Sequence, residues 1–147
     1  MTTMRAFTVG TSDSGWSRQL TELDTAVLGE GGLLVRVAYS GINFKDGLAS
    51  SEKGRVARID PLIPGVDLAG EVVESDSPDF PVGSHVIVHG YDVGVAHHGG
   101  YAEFARARSE WAVAMPAGLD ARTAMLVGTA GYTAALSVDA LERHGLR

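Results

Sequence analysis

The chain has 147 residues, enough for one domain with a real core, and its 45% hydrophobic and 20% charged residues are ordinary for a globular protein. Its formal net charge of −6 gives an overall field that repels nucleic acids and anionic membranes. The absence of cysteine excludes disulfides and thiolate zinc sites, and it fits a reducing cytoplasm.

The N-terminus and the hydropathy pattern predict no targeting segment and no membrane segment. Residues 1–6 lack the apolar stretch of a signal peptide. No window approaches the ~20 apolar residues of a membrane span. We therefore predict a cytoplasmic protein that has neither a nucleic acid nor a membrane as its partner.

The chain up to Pro116 predicts a succession of strands. Six segments have β-branched and aromatic residues in partial alternation, with glycine and proline between them. They cover residues 5–9, 33–39, 68–74, 84–89, 101–107 and 111–115. The 19 glycines suit the turns of a bent β structure. This order predicts a small barrel or sandwich with a helical tail.

Helical patterns are fewer and come mainly at the end. Asn43 could cap a helical turn within residues 43–51, and a loop with a local basic spot follows it. Asp120 predicts the start of a short helix over residues 120–126. A longer helix over residues 130–144 has apolar residues at helical spacing, so we expect it to dock on another surface.

Two segments carry the most information about function. Residues 39–46 read YSGINFKD and residues 63–73 read IPGVDLAGEVV. They resemble the two signature segments of the catalytic domain in medium-chain dehydrogenases and reductases. In the zinc alcohol dehydrogenases of that family, a cysteine ligand stands at the position of Asn43, and a His-Glu pair stands at Val66 and Asp67. The resemblance therefore points to the zinc-free reductases.

Further segments make the resemblance more specific. Along the chain they read GGYAEF (residues 99–104), WAVAMP (111–116), GLDARTAM (118–125) and VGTAGYTA (127–134). Together they resemble the acrylyl-CoA reductase group of quinone-oxidoreductase-like proteins. The resemblance implies a GroES-like, partly open β-barrel at residues 1–122. It also implies a helical segment at residues 123–147 that leads toward a Rossmann nucleotide-binding domain, which these residues lack.

The activity that the resemblance implies is NADPH-dependent reduction of α,β-unsaturated acyl thioesters such as acrylyl-CoA. Since the active site of such enzymes lies between the two domains, we predict that these 147 residues alone are inactive. The parent protein would bind a small acyl-CoA or enone substrate and would form a homo-oligomer. Two alternatives stay open: a quinone or enone reductase on the same scaffold, and a stand-alone, non-catalytic GroES-like binding module.

Three residues are candidates for catalysis. Asn43 could hydrogen-bond the substrate carbonyl or the nicotinamide, or it could only cap a helix. Lys45 could donate a proton or stabilise an enolate, although an ion pair with Asp46 or Asp67 is the favoured interpretation. Asp67 precedes an apolar run, so we expect a buried carboxylate that orients Asn43 or Lys45.

Two residues are candidates for cofactor binding. Phe44 has a flat apolar ring that could pack on nicotinamide or could equally belong to the core. Thr129 could reach the nicotinamide carboxamide or could cap the last helix. For Asp46 we predict only a place at a helix start.

The five histidines do not predict a metal site. His85 and His89 are four residues apart in a predicted strand, which separates them by about 13 Å. That distance is too long for a shared zinc ion. Tyr91, His97 and His98 lie in a glycine-rich connection and are expected to be solvated.

Overall fold

The computed structural model describes residues 2–145, and it is a mainly β structure with a long C-terminal helix. A five-stranded antiparallel sheet has the order β6-β3-β4-β5-β7. Its strands are β3 (Leu33–Tyr39), β4 (Asp67–Ser75), β5 (His85–His89), β6 (Phe104–Ala107) and β7 (Ala112–Ala114). Neither this sheet nor the smaller one closes on itself, as expected for a partly open barrel.

The smaller sheet is a hairpin of β1 (Thr3–Ser12) and β2 (Gly15–Asp24). Ser12 pairs with Gly15, so only two residues form the turn. Single bridges from Ala6 to Ala102 and from Val9 to Leu62 join β1 to the rest of the chain. Strand β2 was not predicted from the sequence, because none of its residues is fully buried, half of them are exposed, and apolar alternation is correspondingly weak.

The main core lies between the strands of the larger sheet and the segment after β5. It is built from small and branched side chains together with one tryptophan. These are Leu33, Val35, Leu68, Val72, Val86, Val88, Val93, Ala105, Ala107 and Trp111. Val93 and Val95 are buried, so the glycine-rich connection folds into the domain instead of remaining solvated.

Tyr91, His97 and His98 have defined contacts within this connection. Tyr91 stacks on Trp111 with ring centroids 5.5 Å apart, and His97 meets the same indole edge-on at 5.2 Å. His98 Nδ1 accepts the Ile63 N–H at 3.2 Å. Only the exposure of Tyr91 agrees with the expectation of solvated side chains.

Within the described residues, two short 3-10 helices (Thr25–Leu28 and Ser109–Trp111) and two α-helices complete the fold. The α-helices are α1 (Phe44–Ala49), with Asn43 as N-cap residue, and α2 (Ala121–Arg143), with Asp120 as N-cap residue. Helix α2 is broken at Gly128, where φ is 53° and ψ is −165°. The two predicted helices are therefore present, joined at a sharp break. Residues before the break pack on the sheet through Ala124 and Met125, which contact Ala69.

By length and composition alone, α2 could cross a membrane, contrary to the expectation that no window approaches a membrane span. A single helix of this kind is weak evidence, because helices that pack on protein meet the same criterion. The break at Gly128 also interrupts the hydrogen-bond ladder that a spanning helix needs. The absence of a membrane partner stays a prediction.

Candidate functional site

The side chain of Asp67 is the centre of the candidate site. It stands at the first residue of β4, has 0% exposure, and accepts four hydrogen bonds. The Gly41 N–H donates to Oδ1 at 2.8 Å, and Asn43 Nδ2 donates to Oδ2 at 2.9 Å. The Thr129 N–H and hydroxyl also donate to Oδ2, at 3.0 and 2.9 Å. Since a buried carboxylate needs such partners, the predicted burial and orienting contact with Asn43 are both observed.

These four bonds join three separate segments at one point. They hold the loop before α1, the start of β4 and the residue after the break in α2. Because Gly128 interrupts the helix, the Thr129 N–H lacks an intrahelical acceptor, and Asp67 replaces it. The arrangement fixes Asn43 relative to Thr129, 86 positions later in the numbering.

Asp46 is a second buried carboxylate, with 2% exposure. Its Oδ2 accepts the Asn43 N–H at 2.8 Å, which agrees with the predicted place at a helix start. Its Oδ1 also accepts the N–H groups of Gly65 and Val66, at 3.0 and 2.9 Å. Asp46 therefore ties one signature segment to the other, a role that sequence reasoning missed because backbone donors leave no residue-specific signal.

The side chains beside Asn43 point outward. Phe44 is 85% exposed and Ile42 is 90% exposed, so Phe44 does not belong to the core of the described residues. Lys45 is also exposed, and within residues 2–145 it forms no ion pair. The favoured ion pair with Asp46 or Asp67 is therefore wrong, since N–H and O–H donors already occupy both carboxylates.

Asn43 keeps hydrogen-bonding capacity after its contact with Asp67. A carboxylate oxygen accepts hydrogen bonds, so the amide nitrogen of Asn43 must face it. The second N–H of that amide stays available. The same holds for the Thr129 hydroxyl oxygen, which donates its proton to Asp67 and retains lone pairs that accept.

Burial changes the pKa of two aromatic side chains near the site. It raises the pKa of the Tyr101 phenol, and the negative charge of nearby Asp46 raises it further. Burial also lowers the pKa of His98, and neighbouring His97 lowers it further. The neutral imidazole agrees with its accepting role toward Ile63. Both side chains are thus neutral near pH 7.

The donor set does not fit zinc. Asn43 offers an amide, Val66 offers no donor atom, and the carboxylate of Asp67 is already saturated. In the part of the chain that the structure describes, no group of three His, Cys, Asp or Glu residues could hold a metal ion.

A small, mostly apolar cavity lies beside the break in α2. Its volume is about 150 Å³, and Ile87, His89, Met125, Gly128 and Tyr132 are among its lining residues. The rings of His89 and Tyr132 meet edge to face, with centroids 4.7 Å apart. The cavity thus touches the same break that Asp67 stabilises.

Comparisons with known proteins agree with the resemblance seen in the sequence. The model of the alcohol dehydrogenase GroES-like domain matches residues 29–117. The chain is 46% identical over 144 residues to the probable acrylyl-CoA reductase AcuI of Escherichia coli K12, covering 98% of this chain and 44% of that protein. It is 48% identical over 124 residues to the putative quinone oxidoreductase YhfP of Bacillus subtilis, covering 84% of this chain and 38% of that protein.

Solved structures show the same likeness. The structure of E. coli K-12 YhdH with bound NADPH has a TM-score of 0.91 and 46% identity, covering 97% of this chain and 44% of that one. The structure of B. subtilis yhfP with bound NAD has a TM-score of 0.95 and 43% identity, covering 100% of this chain and 45% of that one. The chain thus spans less than half the length of these relatives.

The predicted fold class and the resemblance to the acrylyl-CoA reductase group of medium-chain reductases are confirmed by these matches. More than half of the chain lies within the region that the family model matches. The chain belongs to the alcohol dehydrogenase GroES-like domain family.

Proposed function

We propose that this chain is the catalytic-domain portion of an NADPH-dependent oxidoreductase that reduces α,β-unsaturated acyl thioesters such as acrylyl-CoA. The observation that carries the proposal is the network around Asp67, which fixes Asn43 beside an exposed Phe44 and beside Thr129. The similarity to the E. coli reductase supports the substrate class. We place the catalytic domain at residues 1–122 and its helical extension at residues 123–147.

NADPH fits the exposed face next to Asn43. The Phe44 ring is open to solvent and can lie flat against a nicotinamide, while the Thr129 oxygen can accept from the carboxamide. When bound, NADPH supplies the hydride that the β-carbon of the substrate receives. In this proposal Asp67 contacts neither NADPH nor the substrate, and it acts by positioning Asn43 and Thr129.

The residues of this chain would act mainly on the thioester carbonyl. The free N–H of Asn43 would donate to the carbonyl oxygen and stabilise the enolate that forms on reduction. Lys45, exposed two positions later, would deliver the proton to the α-carbon. Because Phe44 and Lys45 are open to solvent, we expect the 147 residues alone to be inactive until a nucleotide-binding domain covers them.

A chimera tests the proposal directly. The 147 residues would be joined to the part of the E. coli relative that follows its matched region, and NADPH oxidation would be measured with acrylyl-CoA. We expect turnover by the chimera and none by the 147 residues alone. Replacing Asn43 with Ala should lower kcat by about tenfold to a hundredfold, through loss of one donor to the developing charge. A chimera that folds and binds NADPH but leaves acrylyl-CoA unreduced would contradict the proposal.

Quinone or enone reduction is a second candidate, which the 48% identity to YhfP of B. subtilis favours. The same chimera separates the two candidate activities, since it can be assayed both with acrylyl-CoA and with a simple quinone, which lacks the CoA moiety. A higher kcat/KM for a simple quinone than for acrylyl-CoA would support the quinone reductase.

A non-catalytic binding module is the third candidate, and the exposed apolar residues of α2 favour it. It predicts a homo-oligomer that forms through α2 and binds no cofactor. Sedimentation of the 147 residues, with and without NADPH, measures both properties.

A further inference from the structure

The loop that follows α1 encloses a cavity on another part of the surface. We name this loop, residues 51–60, the basic loop. Together with Trp16 it surrounds a cavity of about 240 Å³. Arg55 and Arg58 line the cavity, and Lys53 lines an adjoining one. None of the catalytic or cofactor-binding candidates contributes to either cavity.

The three cations of the basic loop lack acidic partners. Lys53, Arg55 and Arg58 are exposed, and none of them forms an ion pair within the described range 2–145. The carboxylate of Asp60 also lines the cavity, but it accepts the Thr11 N–H at 3.0 and 3.1 Å. Glu52 is the other carboxylate there, so the two adjoining cavities together are lined by three cations and two carboxylates, on a chain of net charge −6.

The backbone holds these cations in fixed places. A Cβ at Gly54 would collide with the carbonyl of Leu48, so only glycine allows the loop to fold this closely onto α1. Arg55 has a φ of 52°, a left-handed conformation that is uncommon and costly for a residue other than glycine. The Arg58 N–H donates to the Val95 carbonyl at 2.9 Å. A strained but well-anchored loop of this kind suits ligand binding.

Trp16 gives the cavity an aromatic wall. Its Nε1–H donates to the Ser50 carbonyl at 3.3 Å, which fixes the indole. In the described part of the chain, neither an aromatic ring nor a cation stacks on this indole. Trp16 packs partly against the cluster of Val9, Ala49 and Leu62, and its indole also lines the cavity. An indole at the cavity wall beside unpaired guanidinium groups matches a nucleotide, whose base stacks and whose phosphates pair with arginine.

We propose that the basic loop and Trp16 bind the phosphorylated adenosine end of the CoA moiety of the substrate. This proposal rests on the proposed function. Helix α1 links the two places, with Asn43 at its start and Ser50 at its end, and seven residues at 1.5 Å each separate them by about 10 Å. An acyl group at Asn43 can therefore place its pantetheine arm along α1 and its adenosine phosphates at the loop beyond Ser50.

Two thioesters test the proposal in the chimera described above. Acrylyl-CoA carries the adenosine phosphates, and the acrylyl thioester of N-acetylcysteamine lacks them. The variant Arg55→Gln/Arg58→Gln should raise KM for acrylyl-CoA at least tenfold and leave kcat/KM for the short thioester unchanged. The control Arg122→Gln/Arg143→Gln makes the same charge change on α2. It should change kcat/KM for the two thioesters by the same factor. Equal KM values for acrylyl-CoA in the loop variant and the control would overturn the proposal.

Binding of adenosine 3′,5′-bisphosphate to the 147 residues gives a readout independent of turnover. Calorimetry should show binding that weakens with added salt and that weakens at least tenfold in the loop variant. Equal binding of inorganic phosphate would identify a general anion site and overturn the CoA assignment. If the chimera reduces neither thioester, the proposed function fails. The calorimetric result then decides the loop proposal by itself.

Discussion

The two halves of α2 have similar apolar sequences but different surroundings. The first half, residues 121–127, buries Ala124 and Met125 against the sheet. The second half, residues 129–143, leaves Leu136, Val138 and Leu141 at least 50% exposed. The apolar content of a helix therefore does not tell which of its turns belong to the core of this domain.

Each half also begins at an aspartate of its own. Asp120 is exposed and accepts the Thr123 N–H at 2.7 Å, as a local N-cap does. Asp67 is buried and accepts from Thr129 although it lies in β4. The first half is thus held by the burial of Ala124 and Met125, and the second half is held chiefly at its start.

Replacing Asp67 with Ala should produce the largest effect. It leaves four donors in a buried place without an acceptor, so we expect the free energy of unfolding to fall by about 3–5 kcal/mol. Urea unfolding measures this loss, and hydrogen exchange should show reduced protection of the amides that follow Gly128. The control Asp139→Ala removes an exposed carboxylate of α2. An equal loss in both variants would mean that Asp67 does not anchor the second half.

Replacing Met125 with Ala should produce the next largest effect, because Met125 is the residue of the first half that is buried against the sheet together with Ala124. We expect a loss of about 2–3 kcal/mol from the cavity it leaves. The matched change Leu136→Ala in the second half should cost less than about 0.5 kcal/mol, since that side chain is exposed. Comparable losses in the two variants would show that the second half is covered in solution.

Replacing Gly128 with Ala tests the break itself. The left-handed φ of 53° disfavours any residue with a Cβ, and the new Cβ would approach Asp67 Oδ2 to 3.2 Å. We expect a loss of about 1–2 kcal/mol. Gly131→Ala, within the second half, is the control. Urea unfolding and circular dichroism measure the stability and the helix content of both variants. A gain in stability at position 128 would indicate that α2 prefers to be continuous.

Replacing Asp120 with Ala should give the smallest effect, and that effect should depend on pH. The Thr123 N–H lowers the pKa of Asp120 below its ordinary 3.8, so the cap stabilises the fold above that pH. Its contribution is lost as the pH falls through the lowered pKa. The free energies of unfolding of the unchanged protein and of Asp120→Ala, measured at pH 7 and at pH 3, should therefore differ less in acid. A constant difference would contradict the capping role.

The sequence predicted the elements whose signals are local. Gly128 lies where the two predicted helices part, and Asn43 lies where a cap was expected, because glycine and asparagine act on their own backbone. Strand β2 escaped prediction since its exposed, polar residues weaken the alternation that marks a strand. Val93 and Val95 escaped because glycines around them suggested a solvated loop.

The candidate site was predictable only in part. The carboxylate of Asp67 stood out, since an acidic residue before an apolar run predicts burial with partners. Its contact with Thr129 could not be predicted, because it joins residues 62 positions apart. The outward direction of Lys45 was equally hidden, since it depends on the N–H and O–H donors that occupy Asp46 and Asp67.

The remote cap at Asp67 also bears on the order in which the chain folds. Asp120 can cap the first half of α2 as soon as that turn forms, since donor and acceptor are three residues apart. The second half gains its acceptor only after closure of a loop of 62 residues, whose entropic cost delays such contacts. We therefore expect the start of the second half to form late, after β4 has joined the sheet.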